Sequence, residues 1–415
     1  LVAQPVQSEL YKLLDVPQPR RLFSIKHRVN RGEGGISLSE LFLISYNRKY
    51  FYITFSYTPF DPFYSDYYRG SIINCYDRNG QLVSTIRVFS EGKELIKEEL
   101  EELYKMDKSE REKRQIYSPA SIICASSIED DKLCLLVRVY DGNKNVYKFL
   151  VFTPQRKIDK KMSSKFTDMM NKVNKDINNK IIDDIIPDKV AINSRKNNII
   201  LFDFGGPDDM VVRISGDGDY SVTKVPFSDN LIASDIDPNG NIISIIRNKE
   251  KPEELIIRIF KIDKDYKNID EFKIKIDKKL IQYLDLQQYL DTQPFTNFIV
   301  DARGHIFIVF ALKETLPKHE WQVSYYKPEH YETPYEHVVA AFPGYIVYEF
   351  DPSGQPVGPR ALLQTMIDLA AYNIRLDNDI DIELQRFKLD NHGNLYYLHY
   401  RPDGTEVWMV PLSTR

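Results

Sequence analysis

The sequence predicts an all-β protein: a six-bladed β-propeller of four-stranded antiparallel blades, closed by an N-terminal strand, with helical insertions on one face. Three observations carry this. A strand–Asp-x-x-Gly–strand pattern recurs in SDIDPNGNIISII (234–246), FIVDARGHIFIVF (298–310) and FKLDNHGNLYYLHY (387–400). A second set of tight turns alternates with the first, in NCYDRNGQLVSTIRV (74–88), RISGDGDYSVTKV (213–225), FKIDKDYKNIDEF (260–272) and YEFDPSGQPVG (348–358). Tyr (27) and Phe (22) far outnumber Trp (2) and Met (7), a composition that favours strands.

The turns have a physical reading. The Asp side chain accepts backbone N–H groups across the turn, and Gly takes the positive φ at no steric cost, so the flanking runs pair as hairpins. Looser copies of the first turn are LISYNRKYFYITF (43–55), SSIEDDKLCLLVRVY (126–140) and AINSRKNNIILFDF (191–204), where Gly is missing. The expected blades are 38–89, 119–160, 188–227, 231–276, 295–360 and 384–412, within a single propeller domain spanning 20–415. The last blade has only three strands, and RRLFSIKHRV (20–29) is expected to supply the fourth, closing the open edge. Residues 1–19 are an N-terminal extension.

Six blades leave sequence over, and nearly all of it falls in connections that would share one face. Helices are expected in 91–117, 161–187, 278–292 and 360–380. In the second, Phe166, Met169, Met170, Val173, Ile177 and Ile181 form one apolar stripe. Such stripes either cover the rim of the propeller or stay exposed for a partner, and Met169 and Met170 are the candidates for the latter. Two connections are rich in aromatic side chains. TPFDPFYSDYYRG (58–70) carries Phe60, Phe63, Tyr64, Tyr67 and Tyr68, and residues 313–344 carry Trp321, Tyr325, Tyr326, Tyr331 and Tyr335. Aromatics of this density either order long loops, anchor a protein interface or stack on a small ligand.

The Asp-x-x-Gly-Asn-Ile/Leu-Tyr pattern resembles that of NHL-type and related six-bladed propellers, many of them bacterial and exported. The resemblance implies the ring architecture. It also implies one catalytic alternative, since lactonase-type members hold a metal in the central channel with Glu, Asn and Asp of the innermost strands. Here those strands offer Ser45, Ser126, Asn193, Ser234 and Asn297, and acids are sparse.

Other chemistry finds little footing. DIDPNGNI (235–242) starts like a calcium loop but reaches Ile246 where a bidentate Glu is required. His319, His330 and His337 have no metal-ligand spacing, and there is no G-x-S-x-G nucleophile motif. No cofactor is expected. Cys75, Cys124 and Cys134 are expected as buried thiols, with a Cys124–Cys134 bridge as the alternative. A net charge of −4 gives no field favouring nucleic acid, and no apolar run approaches a membrane span.

The opening Leu-Val-Ala suits a signal-peptidase flank, so an extracytoplasmic protein in the periplasm or at the cell surface is expected, with a lipid anchor or a partner as routes to a membrane. The reading with most support is a non-catalytic scaffold that binds other protein subunits. A metal-dependent lactonase-type hydrolase or lyase and a carbohydrate- or peptide-binding module are the alternatives.

Overall fold

The computed structural model describes residues 16–26, 36–37, 42–54, 56–57, 72–87, 121–140, 145–178, 189–193, 198–203, 210–214, 219–224, 231–236, 242–246, 254–260, 269–275, 297–301, 303–312, 340–341, 344–364, 367–368, 387–390, 392–401 and 404–412. They form mainly antiparallel sheets in two compact units, one comprising Leu1–Leu38 with Asp229–Arg415 and the other Ser39–Ser228.

In the Ser39–Ser228 unit the sheets follow chain order. The first contains Phe42–Ile44, Tyr50–Thr54, Ile72–Asp77 and Leu82–Arg87, each paired with the next. The second contains Ser121–Ile128, Lys132–Tyr140 and Asn145–Phe152. The third contains Lys189–Asn193, Asn198–Asp203, Met210–Ile214 and Tyr220–Lys224. In the second sheet the run KLCLLVRVY is apolar in both registers because both of its faces are buried. Leu133, Leu135 and Val137 meet Tyr52, Ile73 and Cys75 of the first sheet, while Cys134 and Leu136 join Val212 and Ile214 of the third. Cys75 and Cys134 are buried, as expected, and the side chain of Cys124 lies outside the described residues.

The second sheet departs from the expected four strands. After Phe152 the chain makes one isolated bridge, Phe152 to Ile158, and enters helix α1, Lys160–Asn178. Asp159 caps it, its Oδ1 accepting the Met162 N–H at 3.0 Å. The helix takes the place of an outer strand. Ser163 Oγ accepts the Val151 N–H and Thr167 Oγ1 the Phe149 N–H, both at 2.9 Å, and the Asp159 N–H donates to the Val151 carbonyl at 2.8 Å. Two hydroxyls one helical turn apart thus satisfy alternate N–H groups of a strand edge. Of the two roles expected for the stripe, covering is the one found: Met170 is wholly buried, and Met169 is 7% exposed. Both pack with Phe166 against Tyr147, Phe149 and Val151, so the expectation of an exposed Met169/Met170 surface is corrected.

In the other unit, one sheet contains Leu231–Ile236, Ile242–Ile246, Glu254–Phe260 and Ile269–Lys275, and the next Asn297–Val300, Ile306–Ala311, Gly344–Phe350 and Pro356–Gln364. The last sheet joins Lys388–Leu389, Asn394–Arg401 and Gly404–Pro411 to the N-terminal strand Arg20–Lys26, as anticipated. Two short strands, Ala340–Ala341 and Ile367–Asp368, extend it. The helix expected in 360–380 is corrected at its start. RALLQ is the end of Pro356–Gln364, where Ala361, Leu362 and Leu363 pair with Val347, Ile346 and Tyr345. Pairing along a full-length neighbour outweighs the weak helical period of five residues. The other expected helices, in 91–117 and 278–292, lie outside the described residues, as does 179–187.

The described turns match the expected chemistry closely, while those expected at 215–218, 237–241 and 261–268 lie outside the described residues. At Asp77, Asp301, Asp351 and Asp390 one carboxylate oxygen accepts the N–H groups two and four residues on, at 2.8–2.9 Å. Gly80, Gly304, Gly354 and Gly393 take φ between 75° and 82°. Where Gly is missing the same turn forms with an arginine in that conformation, Arg48 (φ 58°) and Arg156 (φ 61°), and a hydroxyl at the first position. Ser45 Oγ accepts the Lys49 and Tyr50 N–H groups at 3.0 Å, and Thr153 Oγ1 accepts that of Lys157 at 3.1 Å.

Two outcomes are expected. Gly404 has φ 153°, and a Cβ there would lie 2.1 Å from the Ile25 carbonyl oxygen. Gly404→Ala should therefore displace the N-terminal strand and cost roughly 2–4 kcal/mol in urea unfolding. Gly358→Ala, at φ 135° but with open space around its Cβ, should cost less. Replacing Ser163 by Ala and Thr167 by Val leaves two strand N–H groups without acceptors and should cost about 1–3 kcal/mol for each in the same assay.

Candidate functional site

Chemically distinctive side chains gather on the facing surfaces of the last two sheets. Tyr345, Val347 and Glu349 alternate along one face of Gly344–Phe350, and Phe307 and Val309 share the corresponding face of Ile306–Ala311. Across from them lie Leu395, Tyr397, Trp408, Val410 and Leu412 of the last sheet. The middle of this layer is apolar, and a charged cluster sits in each sheet.

The first surrounds Glu349, whose side chain is 3% exposed. The Asp301 turn delivers Arg303 and His305 to it. Asp301 Oδ2 holds the Arg303 side chain at 2.8 Å, Arg303 approaches Glu349 Oε1 at 3.8 Å, and His305 Nδ1 bonds that same oxygen. From Pro356–Gln364, Arg360 Nε donates to Glu349 Oε2. A carboxylate held this way fixes the tautomer of its imidazole, with Nδ1–H towards Oε1. Two arginines also stand beside it, so this carboxylate orients His305 and links neighbouring strands of its sheet.

The second surrounds Glu406. Its Oε1 accepts from Arg21 of the N-terminal strand at 2.9 Å and its Oε2 from the Trp408 indole at 2.9 Å, while His399 Nδ1 stands 3.9 Å from Oε2. His399 stacks on Trp408 with ring centres 4.7 Å apart, and Tyr397 lies 6.4 Å from the same indole. Arg21 is half exposed and the carboxylate is buried, so this ion pair ties the first strand to the last sheet at its rim.

A third cluster lies in the other unit. Asp131 is buried, at positive φ beside Asp130. Its carboxylate accepts the Asn47 N–H at 2.6 Å and its carbonyl accepts the Tyr52 hydroxyl at 2.7 Å. Burial raises the Tyr52 phenol and pushes the Cys75 thiol up to about 12, against the lowering effect of hydrogen bonds with Ser84 and Tyr52. Cys75 is therefore an inert core thiol.

Of the polar side chains expected on innermost strands, Ser45 is consumed by its turn. Ser126 lies half-buried in Ser121–Ile128, and its neighbour Ser127 carries a buried hydroxyl with no hydrogen-bond partner among the described residues. The side chains of Asn193, Ser234 and Asn297 lie outside the described residues. So do Phe60, Phe63, Tyr64, Tyr67, Tyr68, Trp321, Tyr325, Tyr326, Tyr331 and Tyr335, and the histidines of 313–344. Glu349 and Glu406 were not singled out from sequence. The available signal was a carboxylate in register with core residues, as in YIVYEF and TEVWMV.

No family model matches the chain, and no curated protein matches it. Among solved structures, the polysaccharide lyase Uly1 aligns over 97% of this chain and 98% of its own at 8% identity, with a TM-score of 0.33. An endo-arabinase from Bacteroides thetaiotaomicron aligns over 95% and 98% at 11% identity and 0.28, and a functionally unknown protein from Desulfotomaculum acetoxidans over 79% and 88% at 10% and 0.32. At these TM-scores the likeness carries no argument about activity.

Two outcomes follow from the geometry. Arg360→Ala leaves Glu349 short of its closest cation and should cost roughly 2–4 kcal/mol in urea unfolding, whereas half-exposed Arg303→Ala should cost about 1 kcal/mol. The second concerns pH. The Met162 N–H bond, with Lys132 beside it, lowers Asp159. At Asp351 burial acts upward, but bonds from Ser353 and Gln355 outweigh it and the net shift is down. Their contribution to stability is complete above the unfolded-chain value of about 3.9 and is lost as pH falls through the folded values. The urea midpoint of Asp159→Asn/Asp351→Asn should accordingly fall less between pH 5 and pH 2 than that of the parent.

Proposed function

We propose that the sheets close as one six-bladed, NHL-like β-propeller and that this ring is a non-catalytic scaffold binding other protein subunits through the end of the sheets that carries the long connections. One observation carries the reading. In the first sheet and in the last two, the hairpin turns at 45–49, 78–81, 301–305, 351–355 and 390–393 are short and held by their own side chains. The connections at the opposite ends of those strands, 58–71, 88–120, 313–339 and 369–386, are long. Antiparallel pairing puts these short turns at one end of each sheet and these long connections at the other, which in the last sheet also carries the short link 402–403. Long loops on a rigid scaffold are where binding residues concentrate.

The buried carboxylates support the same reading. Asp131, Asp301, Glu349, Asp390 and Glu406 each serve a turn or an inter-strand bond. The aromatic side chains of 58–70 and 313–344 are the proposed anchors.

Native mass spectrometry of the protein gently extracted from its source tests this. Stoichiometric partner chains are expected, and alanine replacement of Phe63, Tyr64, Trp321 and Tyr325 should release them. A bare monomer carrying one divalent metal would overturn the scaffold reading in favour of a central-channel enzyme.

A further inference from the structure

We propose that the outer surface of helix α1, with the turn that precedes it, is a docking site for an acidic protein segment. The inference deepens the partner-binding reading and rests on it.

Residues 155–172 read QRKIDKKMSSKFTDMMNK. Arg156, Lys157, Lys160, Lys161, Lys165 and Lys172 are all exposed, and Asp168 is the one exposed acid among these residues. This concentration sits on a chain whose net charge is −4, so the rest of the molecule is more acidic than the whole. Lys161, Lys165 and Lys172 fall at i, i+4 and i+11, a single stripe that runs about 16 Å at 1.5 Å per residue, the length of three helical turns.

The first turn of the helix and the turn before it both carry cations, and Lys161 stands near enough to the Asp159 cap to help lower its carboxyl. Lys160 and Lys161 occupy the first turn, next to the positive end of the helix dipole, where acidic residues are favoured and none is found. Arg156 holds the left-handed position that Gly80, Gly304, Gly354 and Gly393 fill in the equivalent turns. Arg48 holds the same position in another turn, so the position tolerates arginine, and the six cations bear on the proposal through their exposure and spacing.

The surface chemistry selects the occupant. Phe166 is the aromatic side chain of this segment, and it is buried beside Phe149. The surface therefore offers no platform on which bases could stack. Met162, Phe166, Met169 and Met170 all pack inward, which leaves no exposed apolar side chain among the described side chains of the helix to enter a lipid interface. Six cations spread over a short convex surface suit a short run of carboxylates. A long polyanion or an anionic bilayer would also meet the acidic remainder of the chain.

The test is fluorescence anisotropy with the full chain and a fluorescein-labelled oligoglutamate peptide, across a salt series. Saturable binding that weakens with salt is expected. Lys161→Glu/Lys165→Glu/Lys172→Glu should lower the affinity at least about tenfold. Glutamate in the first turn favours the helix, so this variant should retain its fold by circular dichroism. Arg20→Glu/Lys26→Glu/Lys49→Glu, with the same change in net charge on exposed residues elsewhere, should lower the affinity less than about twofold. Equal losses in the two variants would overturn the proposal, as would tighter binding of single-stranded RNA or of phosphatidylserine vesicles than of the peptide. Peptide binding that maps to α1 in a chain with no native partner would leave this site standing and remove the scaffold reading. Native partners retained by the α1 variant would do the reverse.

Discussion

The bond from a turn's own N–H groups to the side-chain oxygen at its first position is the constraint on which the sheets depend. It closes the hairpin at two points, so the strands on either side have one register. Register decides everything beyond the hairpin, because a slip of one residue exchanges the two faces of a strand. In the second sheet, Leu133, Leu135 and Val137 face one neighbour and Cys134 and Leu136 the other, so a slip would leave side chains of the wrong volume in both layers. Apolar burial supplies the driving force, and the turns select among the many ways of satisfying it. That Ser45 and Thr153 perform the same task as the aspartates shows the requirement to be an acceptor at that position, not a charge.

Buried charges play a second, narrower part. Glu349 and Glu406 could each be replaced by an apolar residue without loss of area, and a buried ion pair is weak evidence for stability. What they add is identity. Glu349 accepts where Arg360 and the Asp301 turn meet it, and Glu406 where Arg21 arrives on the N-terminal strand beside the Trp408 indole. The first strand pairs with Gly404–Pro411 through backbone bonds that any extended segment could make. Arg21 at Glu406, together with Phe23 and Ile25 buried in the sheet, gives that segment its register.

The turns, the strands they join, the N-terminal fourth strand and the helix after 160 were legible because each rests on local chemistry or on a long period. RALLQ was not, since five residues carry too little period to distinguish helix from strand and the partner strand decided. The second sheet's helix was legible as a helix but not as a substitute strand, which required knowing where Ser163 and Thr167 would meet Phe149 and Val151. The apolar stripe with Met169 and Met170 was read correctly as a stripe, and its burial follows from the same contact. The charged clusters were missed for a related reason: a glutamate within a strand reads as solvent-facing unless its cations, distant in sequence, are known. Arg21 lies 385 residues from Glu406.

Two sheets solve the problem of an open edge by opposite means, and the contrast bears on where a partner can act. In the last sheet the edge is closed by a strand of the same chain, which pairs with Gly404 to Met409 across one irregularity between Arg21 and Phe23. In the second the edge is closed by side-chain hydroxyls of a helix, which satisfy the strand while turning the helix's other face outward. A strand used as a cover exposes a backbone edge of its own. A helix exposes only side chains, and its outer face is free to carry any composition without endangering the sheet beneath. The cations of α1 occupy that kind of surface, while the apolar stripe, the two hydroxyls and the Asp159 cap hold the helix against the sheet.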